Sequence, residues 1–174
     1  MGATSVAAAV VVRTANDQDL ERLADALGQV HYFRHRISRQ PRLGSLLLAE
    51  EPGSRRILGD AFVRTMPAEE WELRERLPNV PILSHVEVVR DARNQGIGTA
   101  MISAAEQRVA RLGRRRIALG VNMDNPDAYR LYTRLGYAEW DGGPINAVVE
   151  QFDQDGRRRF STEKCHVLVK NLLD

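Results

Sequence analysis

The stretch Arg93-Asn94-Gln95-Gly96-Ile97-Gly98-Thr99 decides how the rest of the chain is interpreted. It follows a hydrophobic strand pattern at 82–89 and opens a helical pattern at 96–112. A turn of this kind binds anions, because unpaired N–H groups of the first helical turn point outward and the helix dipole adds positive charge. Gly96 and Gly98 let the backbone approach a phosphate without a Cβ. The alternative is that both glycines serve only the turn.

Two familiar nucleotide sites are excluded by the residues around this loop. The dinucleotide fingerprint needs a third glycine at position 101, which is Met101 here. The ATP and GTP loop needs Gly-Lys followed by Ser or Thr, and no such tripeptide occurs in the sequence. The expected anion is therefore a phosphate compound other than NAD or a nucleoside triphosphate.

The composition fits one domain over 1–174, with residues 1–7 expected to be flexible. No apolar run approaches the roughly 20 residues that cross a bilayer, so no membrane association is expected. The first residues lack the charged start and cleavage-type ending of a secretory signal, which predicts a cytoplasmic protein. A formal charge of +2 does not indicate a nucleic-acid partner. The single cysteine, Cys165, excludes an internal disulfide and a cysteine-rich metal site, and no metal is expected.

Hydrophobic periodicity and turn signals predict the order of the elements. Strands are predicted at 10–13, 45–50, 57–65, 82–89, 116–121, 147–152 and 165–169. Helices are predicted between an Asn16 or Asp17 cap and Gly28, and at 68–77, 96–112 and 126–135, whereas the segment 30–42 is ambiguous. This order indicates one mixed α/β sheet.

Two motifs in this order resemble the GNAT superfamily of acetyl-CoA-dependent N-acetyltransferases. The first is Val86-Glu87-Val88 followed by Arg93-Asn94-Gln95-Gly96-Ile97-Gly98, and the second runs from Leu119 through Asn125 and Tyr132 to Gly136-Tyr137. The resemblance covers about residues 10–140 well and the last two strands loosely. It implies a single GNAT-like α/β domain whose mixed, mostly antiparallel sheet has about seven strands and is flanked by about four helices.

The same resemblance implies that acetyl-CoA is the co-substrate. Backbone amides of 94–99 would bind its pyrophosphate, and the edge of 86–88 would pair with its pantetheine amides. The residues implied to contact it are Val86, Val88, Val89, Arg93, Asn94, Gln95, Gly96, Ile97, Gly98, Thr99, Asn125, Ala128 and Tyr132.

The chemistry of amine acetylation suggests which side chains to consider as catalysts. A lysine-like amine is only about one part in 10³ neutral at pH 7, a handicap of roughly 4–5 kcal/mol, so a general base is useful. Glu87 and His85 are the titratable residues of the cofactor strand, and Ser84 is a further relay candidate. The alternatives are a surface carboxylate for Glu87 and a structural histidine for His85. By resemblance Tyr132 would protonate the departing thiolate, unless it only packs against the sheet, and an N–H near Val88 would stabilise the oxyanion.

The function implied is transfer of an acetyl group to a primary amine of a small molecule in a ternary complex. A protein or peptide amine and a non-catalytic acetyl-CoA-binding module are the alternatives. The acceptor is expected to contact His31-Tyr32-Phe33 and the segment 66–81, whose carboxylates surround Trp71. Gly120 stands where relatives that acetylate a ribosomal protein carry glutamate, which argues against that activity. A homodimer is implied only by analogy, because such domains expose their late strands.

Overall fold

Eight strands form a single sheet in the part of the chain that the computed structural model describes, residues 9–172. The predicted flexibility of 1–7 falls outside these residues. The strands are β1 (Val11–Thr14), β2 (Gly44–Glu50), β3 (Ile57–Arg64), β4 (Ile82–Val88), β5 (Arg116–Asn122), β6 (Ala138–Glu139), β7 (Ile145–Phe152) and β8 (Arg158–Asn171). The helices are α1 (Leu20–Leu27), α2 (Val30–Ser38), α3 (Trp71–Arg76), α4 (Ile97–Arg111) and α5 (Pro126–Arg134).

The sheet is mixed and mostly antiparallel, as predicted, with the order β1-β2-β3-β4-β5-β8-β6 and with β7 paired to β8. Among the strands of residues 9–172, only β4 and β5 pair in parallel. The predicted count of about seven strands and four helices was slightly low. Strand β6 has only two residues, too few for a period to be recognised. The ambiguous segment is helix α2, which buries Tyr32, Phe33 and Ile37.

The helices cover both faces of the sheet with separate hydrophobic clusters. Helices α4 and α5 pack on one face, where Met101 and Ile102 of α4 are fully buried against strands β2 to β5. Helices α1 and α2 pack on the other face, around Leu23 and Phe33. None of the helices in residues 9–172 is long and apolar enough to cross a membrane.

Strands β4 and β5 diverge after a very short contact. They pair only at Ile82 with Ala118 and at Leu83 with Leu119. From there on β4 is paired with β3 alone and β5 with β8 alone. One edge of β4 is therefore free of a strand neighbour beyond Leu83 in the described chain.

A β-bulge lies where β4 leaves β5. Leu83 pairs with Val63 and His85 pairs with Phe62, so Ser84 is the extra residue. The bulge reverses the facing of the next residues along the strand: Leu83 packs in the α4 cluster, whereas the ring of His85 contacts Tyr32 of α2. His85 consequently faces the α2 side of the sheet.

Candidate active site

The predicted anion loop has the backbone geometry of an anion cradle. Asn94 and Gly96 have positive φ angles of 61° and 80°, and Arg93 before them is extended. Left-handed residues of this kind are typical of an anion-binding nest. Helix α4 starts without a capping side chain. Ala100 is the first residue whose amide reaches a carbonyl, that of Gly96, at 3.0 Å. The amides of residues 97–99 are thus left for an external acceptor.

The glycines of this loop have different roles. Gly96 needs its left-handed backbone, which residues with a Cβ rarely adopt. Gly98 has an ordinary backbone, and a Cβ there would lie 3.8 Å from Val88, at normal contact distance. The side chain of Ile97 is buried in the α4 cluster, so only its backbone faces the loop. Arg93, Asn94, Gln95 and Thr99 are exposed around it.

The free edge of β4 directs alternate backbone groups into the gap beside β5. The Val89 N–H donates to the Leu58 carbonyl at 2.8 Å, so it points toward β3. Since successive residues of a strand alternate in direction, Val88 and Val86 direct their N–H and C=O groups away from β3. The Val88 carbonyl accepts from Arg93 Nε at 3.2 Å. The N–H and C=O of Val86 and the N–H of Val88 are therefore free to pair with an extended amide chain, whereas the Val88 carbonyl and the Val89 amide are already used.

Helix α5 brings the second motif to the same face of the sheet. The Asn125 side chain caps this helix by accepting from the Ala128 amide at 3.1 Å. Ala128 and Tyr132 pack against the α4 cluster, which also includes Val86 and Val88. The Tyr132 ring meets Tyr137 edge-on, with centroids 5.6 Å apart. Burial raises the pKa of Tyr132, so its hydroxyl remains protonated at neutral pH.

A cavity of about 310 Å³ lies on the opposite side of β4. His85 and Ser84 of β4 line it, together with Gly120 of β5 and residues of α2, α3, β7 and β8. We call it the acceptor cavity. Of the predicted acceptor residues, Tyr32, Glu69 and Glu70 line it, whereas Phe33 is a core residue and Trp71 is 64% exposed outside it.

Some ion pairs expected near this cavity are absent from the described chain. In the sequence, Glu70/Arg74 and Glu72/Arg76 are four residues apart, a spacing that predicts ion pairs along a helix. Glu70 instead accepts from the Val148 amide at 2.7 Å, and Arg74 donates to the Ala68 and Glu69 carbonyls. Arg76 pairs with Asp141 at 2.9 Å. Helix α3 has only six residues, so backbone acceptors beyond its ends compete with pairs within it.

At the wall of the acceptor cavity, His85 contacts two carboxylates. Its Nε2 lies 3.3 Å from Asp60 Oδ1 and 3.4 Å from Glu87 Oε2. Asp60 is fully buried, and neither of its oxygens has an aligned hydrogen bond in the described structure. The same is true of His85 Nε2 and Glu87 Oε2. Buried polar atoms without partners are costly, so a cluster of four such atoms is a candidate functional site.

The pKa directions of this cluster follow from burial and mutual charge. Burial lowers the pKa of His85, but the adjacent Asp60 and Glu87 outweigh it and raise that pKa to about 9. The pKa of Glu87 is lowered, first by its contact with His85. Burial raises the pKa of Asp60 despite the opposing effect of His85. The cluster therefore holds a proton on His85 at neutral pH and can release it near pH 9.

The same three side chains have the spacing of a metal site, since one ligand atom from each lies within 4.8 Å of the others. A divalent ion such as Zn²⁺ accepts histidine nitrogen and carboxylate oxygen ligands. Such an ion would occupy the nitrogen that otherwise carries the proton. The two uses of the cluster exclude each other, and removal of metal distinguishes them.

Asp60 was not identified from the sequence. It lies within the apolar run Ile57-Leu58-Gly59-Asp60-Ala61-Phe62-Val63, where a charge is out of place. A charged residue inside an apolar strand pattern indicates a buried carboxylate, and this was the sequence signal that could have identified Asp60. Its partners are known only through the register, in which Asp60 pairs with Glu87 and Phe62 with His85.

Comparison with known proteins agrees with this geometry. The acetyltransferase (GNAT) family model matches residues 18–137. An uncharacterized N-acetyltransferase from Methanocaldococcus jannaschii is 43% identical over 49 residues, which is 28% of this chain and 22% of that protein. The chain thus spans about a fifth of the length of this relative.

Solved structures with the same fold have low sequence identity to this chain. The ribosomal-protein-S18-alanine N-acetyltransferase from Escherichia coli is 16% identical, with a TM-score of 0.64 over 95% of this chain and 96% of its own. Naa20 of Chaetomium thermophilum, in complex with a bisubstrate analogue, is 19% identical, with a TM-score of 0.64 over 92% and 86%. A GNAT acetyltransferase from Elizabethkingia anophelis with acetyl-CoA bound is 14% identical, with a TM-score of 0.60 over 93% and 97%.

The family match, covering most of the chain, and these structural neighbours confirm the predicted fold and the enzyme class, an acyltransferase. The chain belongs to the acetyltransferase (GNAT) family.

Proposed function

We propose that the protein transfers the acetyl group of acetyl-CoA directly to a primary amine of a small molecule. The observation that carries this proposal is His85. It lines the acceptor cavity, and its Nε2 contacts two carboxylates. It also belongs to β4, the strand whose free edge faces the gap beside β5. A proton acceptor and a donor-binding edge are thus built into one strand of seven residues.

The residues of the donor side fit a pantetheine pyrophosphate. The free amides of residues 97–99 and the positive end of α4 suit the two phosphates, and Arg93 is exposed beside them. Val86 offers its backbone N–H and C=O to the amide arm, in the manner of an added strand. When bound, acetyl-CoA supplies the activated acetyl group. The Val88 N–H would stabilise negative charge on the carbonyl oxygen.

We assign the general base to His85 rather than Glu87. His85 lines the acceptor cavity, and Glu87 is not among its lining residues. With Nε2 facing Asp60 and Glu87, the other ring nitrogen is the one free to take a proton from the amine, directly or through water. Asp60 and Glu87 then act as positioning residues that stabilise the imidazolium. Ser84 is also in the cavity and fits a water relay.

Tyr132 completes the proton balance. The amine loses a proton to His85 as the new C–N bond forms, and the C–S bond breaks as the sulfur takes a proton or a hydrogen bond from Tyr132. Its hydroxyl makes no hydrogen bond elsewhere in residues 9–172 and stays protonated because burial raises its pKa. That leaves the hydroxyl available to the sulfur.

A protein or peptide amine is the second candidate acceptor, since the name of one structural neighbour, the ribosomal-protein-S18-alanine N-acetyltransferase, indicates a protein substrate. The acceptor cavity has a volume of about 310 Å³ and walls from α2, α3, β7 and β8, which favours a small molecule. Three expectations stay predictions: a possible homodimer, a reaction that needs no metal, and a cytoplasmic location.

The test is thiol release from acetyl-CoA across matched panels of small amines and peptides. Steady turnover with a small amine and little with peptides supports the proposal. Turnover confined to peptides would replace the acceptor. A folded protein that binds acetyl-CoA but turns over neither panel would be the binding module, and the assignment of a catalytic role to His85 would fall with it.

A further inference from the structure

A second cavity, of about 290 Å³, adjoins the acceptor cavity, and the two share Arg36, Arg64, Glu69 and Glu150 in their walls. Five arginines line this second cavity against two glutamates: Arg36, Arg39, Arg42, Arg64 and Arg158. We call it the arginine pocket. Its arginines come from α2, the segment after α2, β3 and β8, so tertiary packing rather than one local run assembles the positive charge.

The glutamates do not neutralise this pocket. Glu150 is shared by Arg36, at 2.7 Å, and Arg158. Glu69 lies 3.9 Å from Arg64. Arg39 and Arg42 have no ion pair and no side-chain hydrogen bond in the part of the chain that the structure describes. Burial, and next the positive charge of Arg36, lower the pKa of His35, so its ring is neutral at pH 7. The effect of Arg36 is consistent with the excess of arginine in this pocket.

Two further carboxylates line the acceptor cavity but not the arginine pocket. Glu70 and Glu163 line the acceptor cavity, and Glu163 makes no ion pair within residues 9–172. Asp60 and Glu87 lie behind His85. The site is therefore bipolar: one end suits an ammonium group, and the other suits an anion.

The two ends are a short molecule apart. The His85 ring is 5.1 Å from the Tyr32 ring, and the Arg36 guanidinium carbon is 4.7 Å from the same Tyr32 ring. The His85 ring and the Arg36 guanidinium are therefore no more than about 10 Å apart. An acceptor of roughly four to eight bonds could reach both.

We propose that the arginine pocket binds a carboxylate or phosphate of the acceptor, and that the acceptor is a small amine carrying such a group at the far end of its chain. This inference rests on the proposed function and specifies its substrate class. Arginine suits the task because its planar fork makes two parallel hydrogen bonds to a carboxylate or phosphate.

The experiment compares acceptors that differ only in the anionic group. 6-Aminohexanoate is paired with hexylamine, and 3-aminopropyl phosphate with 3-aminopropan-1-ol. We expect kcat/KM to be at least about tenfold higher for the anionic member of a pair, mainly through KM, since charged hydrogen bonds are the stronger class. The two pairs distinguish a carboxylate ligand from a phosphate ligand.

The variant Arg39→Ala/Arg42→Ala removes the two arginines without an internal partner, so no buried ion pair is broken. It is expected to raise KM for the preferred anionic amine by about tenfold or more, to leave its kcat unchanged and to leave the neutral amine unaffected. Arg111→Ala, at an exposed arginine of α4, is the matched control and should change neither.

Two results would overturn the inference while the proposed function stands: equal use of both members of each pair, or an anion preference that survives in the double variant. If acetyl-CoA binds but no amine is turned over, the proposed function fails instead. Calorimetry with 6-aminohexanoate and 3-aminopropyl phosphate still tests the pocket then. Binding by the wild type that is lost in the double variant supports it, and equal binding or none contradicts it.

Discussion

Two buried carboxylate clusters lie on this sheet, and they are satisfied in opposite ways. Asp19 and Glu50, 2% and 6% exposed, share the guanidinium groups of Arg13 and Arg22. Asp19 accepts from Arg13 at 2.7 and 2.8 Å and from the Asn16 amide at 2.9 Å. Asp60, 0% exposed, has His85 and Glu87 near it, and neither of its oxygens has an aligned hydrogen bond within residues 9–172.

The difference separates a structural cluster from a reactive one. The contact with Arg13 lowers the pKa of Asp19, and arginine cannot take up or release a proton at ordinary pH. The first cluster is therefore fixed in charge. The second contains a histidine, the side chain whose proton is exchanged most readily near neutral pH. If the proposed mechanism holds, buried charge stabilises the fold at the Asp19–Glu50 cluster and assists proton transfer at the Asp60–His85–Glu87 cluster.

The largest expected effect is loss of catalysis on replacing the histidine. His85→Gln keeps a polar side chain of similar size but cannot accept a proton. We expect kcat to fall by about 10²–10⁴-fold with acetyl-CoA affinity unchanged. Steady-state thiol release and calorimetric binding of acetyl-CoA measure the two quantities. A variant with full kcat would remove His85 from the mechanism and move attention to Glu87.

Removing an arginine from the first cluster should instead cost stability. Arg13→Ala leaves Asp19 and Glu50 short of their main partner, and breaking a buried pair costs about 3–5 kcal/mol. Chemical denaturation gives the free energy of unfolding, and kcat per folded molecule should stay unchanged. A comparable loss of kcat would show that the two clusters are coupled.

A matched pair of amide substitutions sharpens the contrast. Asp19→Asn weakens a paired charge and should destabilise the protein by about 1–3 kcal/mol. Asp60→Asn removes a buried carboxylate whose pKa is raised, so the free energy of unfolding should change little or increase. Loss of that charge should also lower the pKa of His85 and shift the pH–rate profile to lower pH. An unshifted profile would deny Asp60 its positioning role.

The pH dependence of the wild type comes from the same groups. His85, whose pKa is raised to about 9, is about 1% neutral at pH 7. At saturating substrates kcat should therefore rise about tenfold per pH unit from pH 7 to 8 and level off above pH 9. The His85→Gln variant should lose this increase of kcat with pH. If the variant keeps the increase, a group other than His85 is responsible for it.

The two clusters should also lose their stabilising effect at opposite ends of the pH scale. The raised pKa of His85 stabilises the fold fully below pH about 6.5, and this contribution, on the order of 1–3 kcal/mol, is lost as pH rises through about 9. The lowered pKa values of Asp19 and Glu50 stabilise the fold above pH about 4 and are lost on acidification. Denaturation of His85→Gln, Asp19→Asn and the wild type at pH 3, 5, 7 and 9.5 measures each contribution.

The smallest expected effect is that of metal removal. If the Asp60–His85–Glu87 cluster serves proton transfer, dialysis against a chelator should leave kcat and thermal stability unchanged. Loss of activity that added Zn²⁺ restores would instead make these three residues metal ligands.

Features formed by consecutive residues could be predicted from the sequence, whereas sites formed by distant segments could not. The anion loop lies in consecutive residues, so Gly96 and the start of α4 could be recognised directly. Helix α2 was ambiguous because histidines and arginines interrupt its apolar face. Asp60 and the arginine pocket depend on strand register and on contacts between distant segments, which no single window of sequence contains.

The short contact between β4 and β5 has a thermodynamic consequence. Two residue pairs are all that join one half of the sheet to the other along that seam. A donor molecule hydrogen-bonded along Val86 and Val88 would act as an added strand there, so the fold and its substrate should stabilise each other. At a ligand concentration of 100 Kd the gain is about 2.7 kcal/mol. Resistance to unfolding in the cell should therefore rise and fall with the supply of acetyl-CoA.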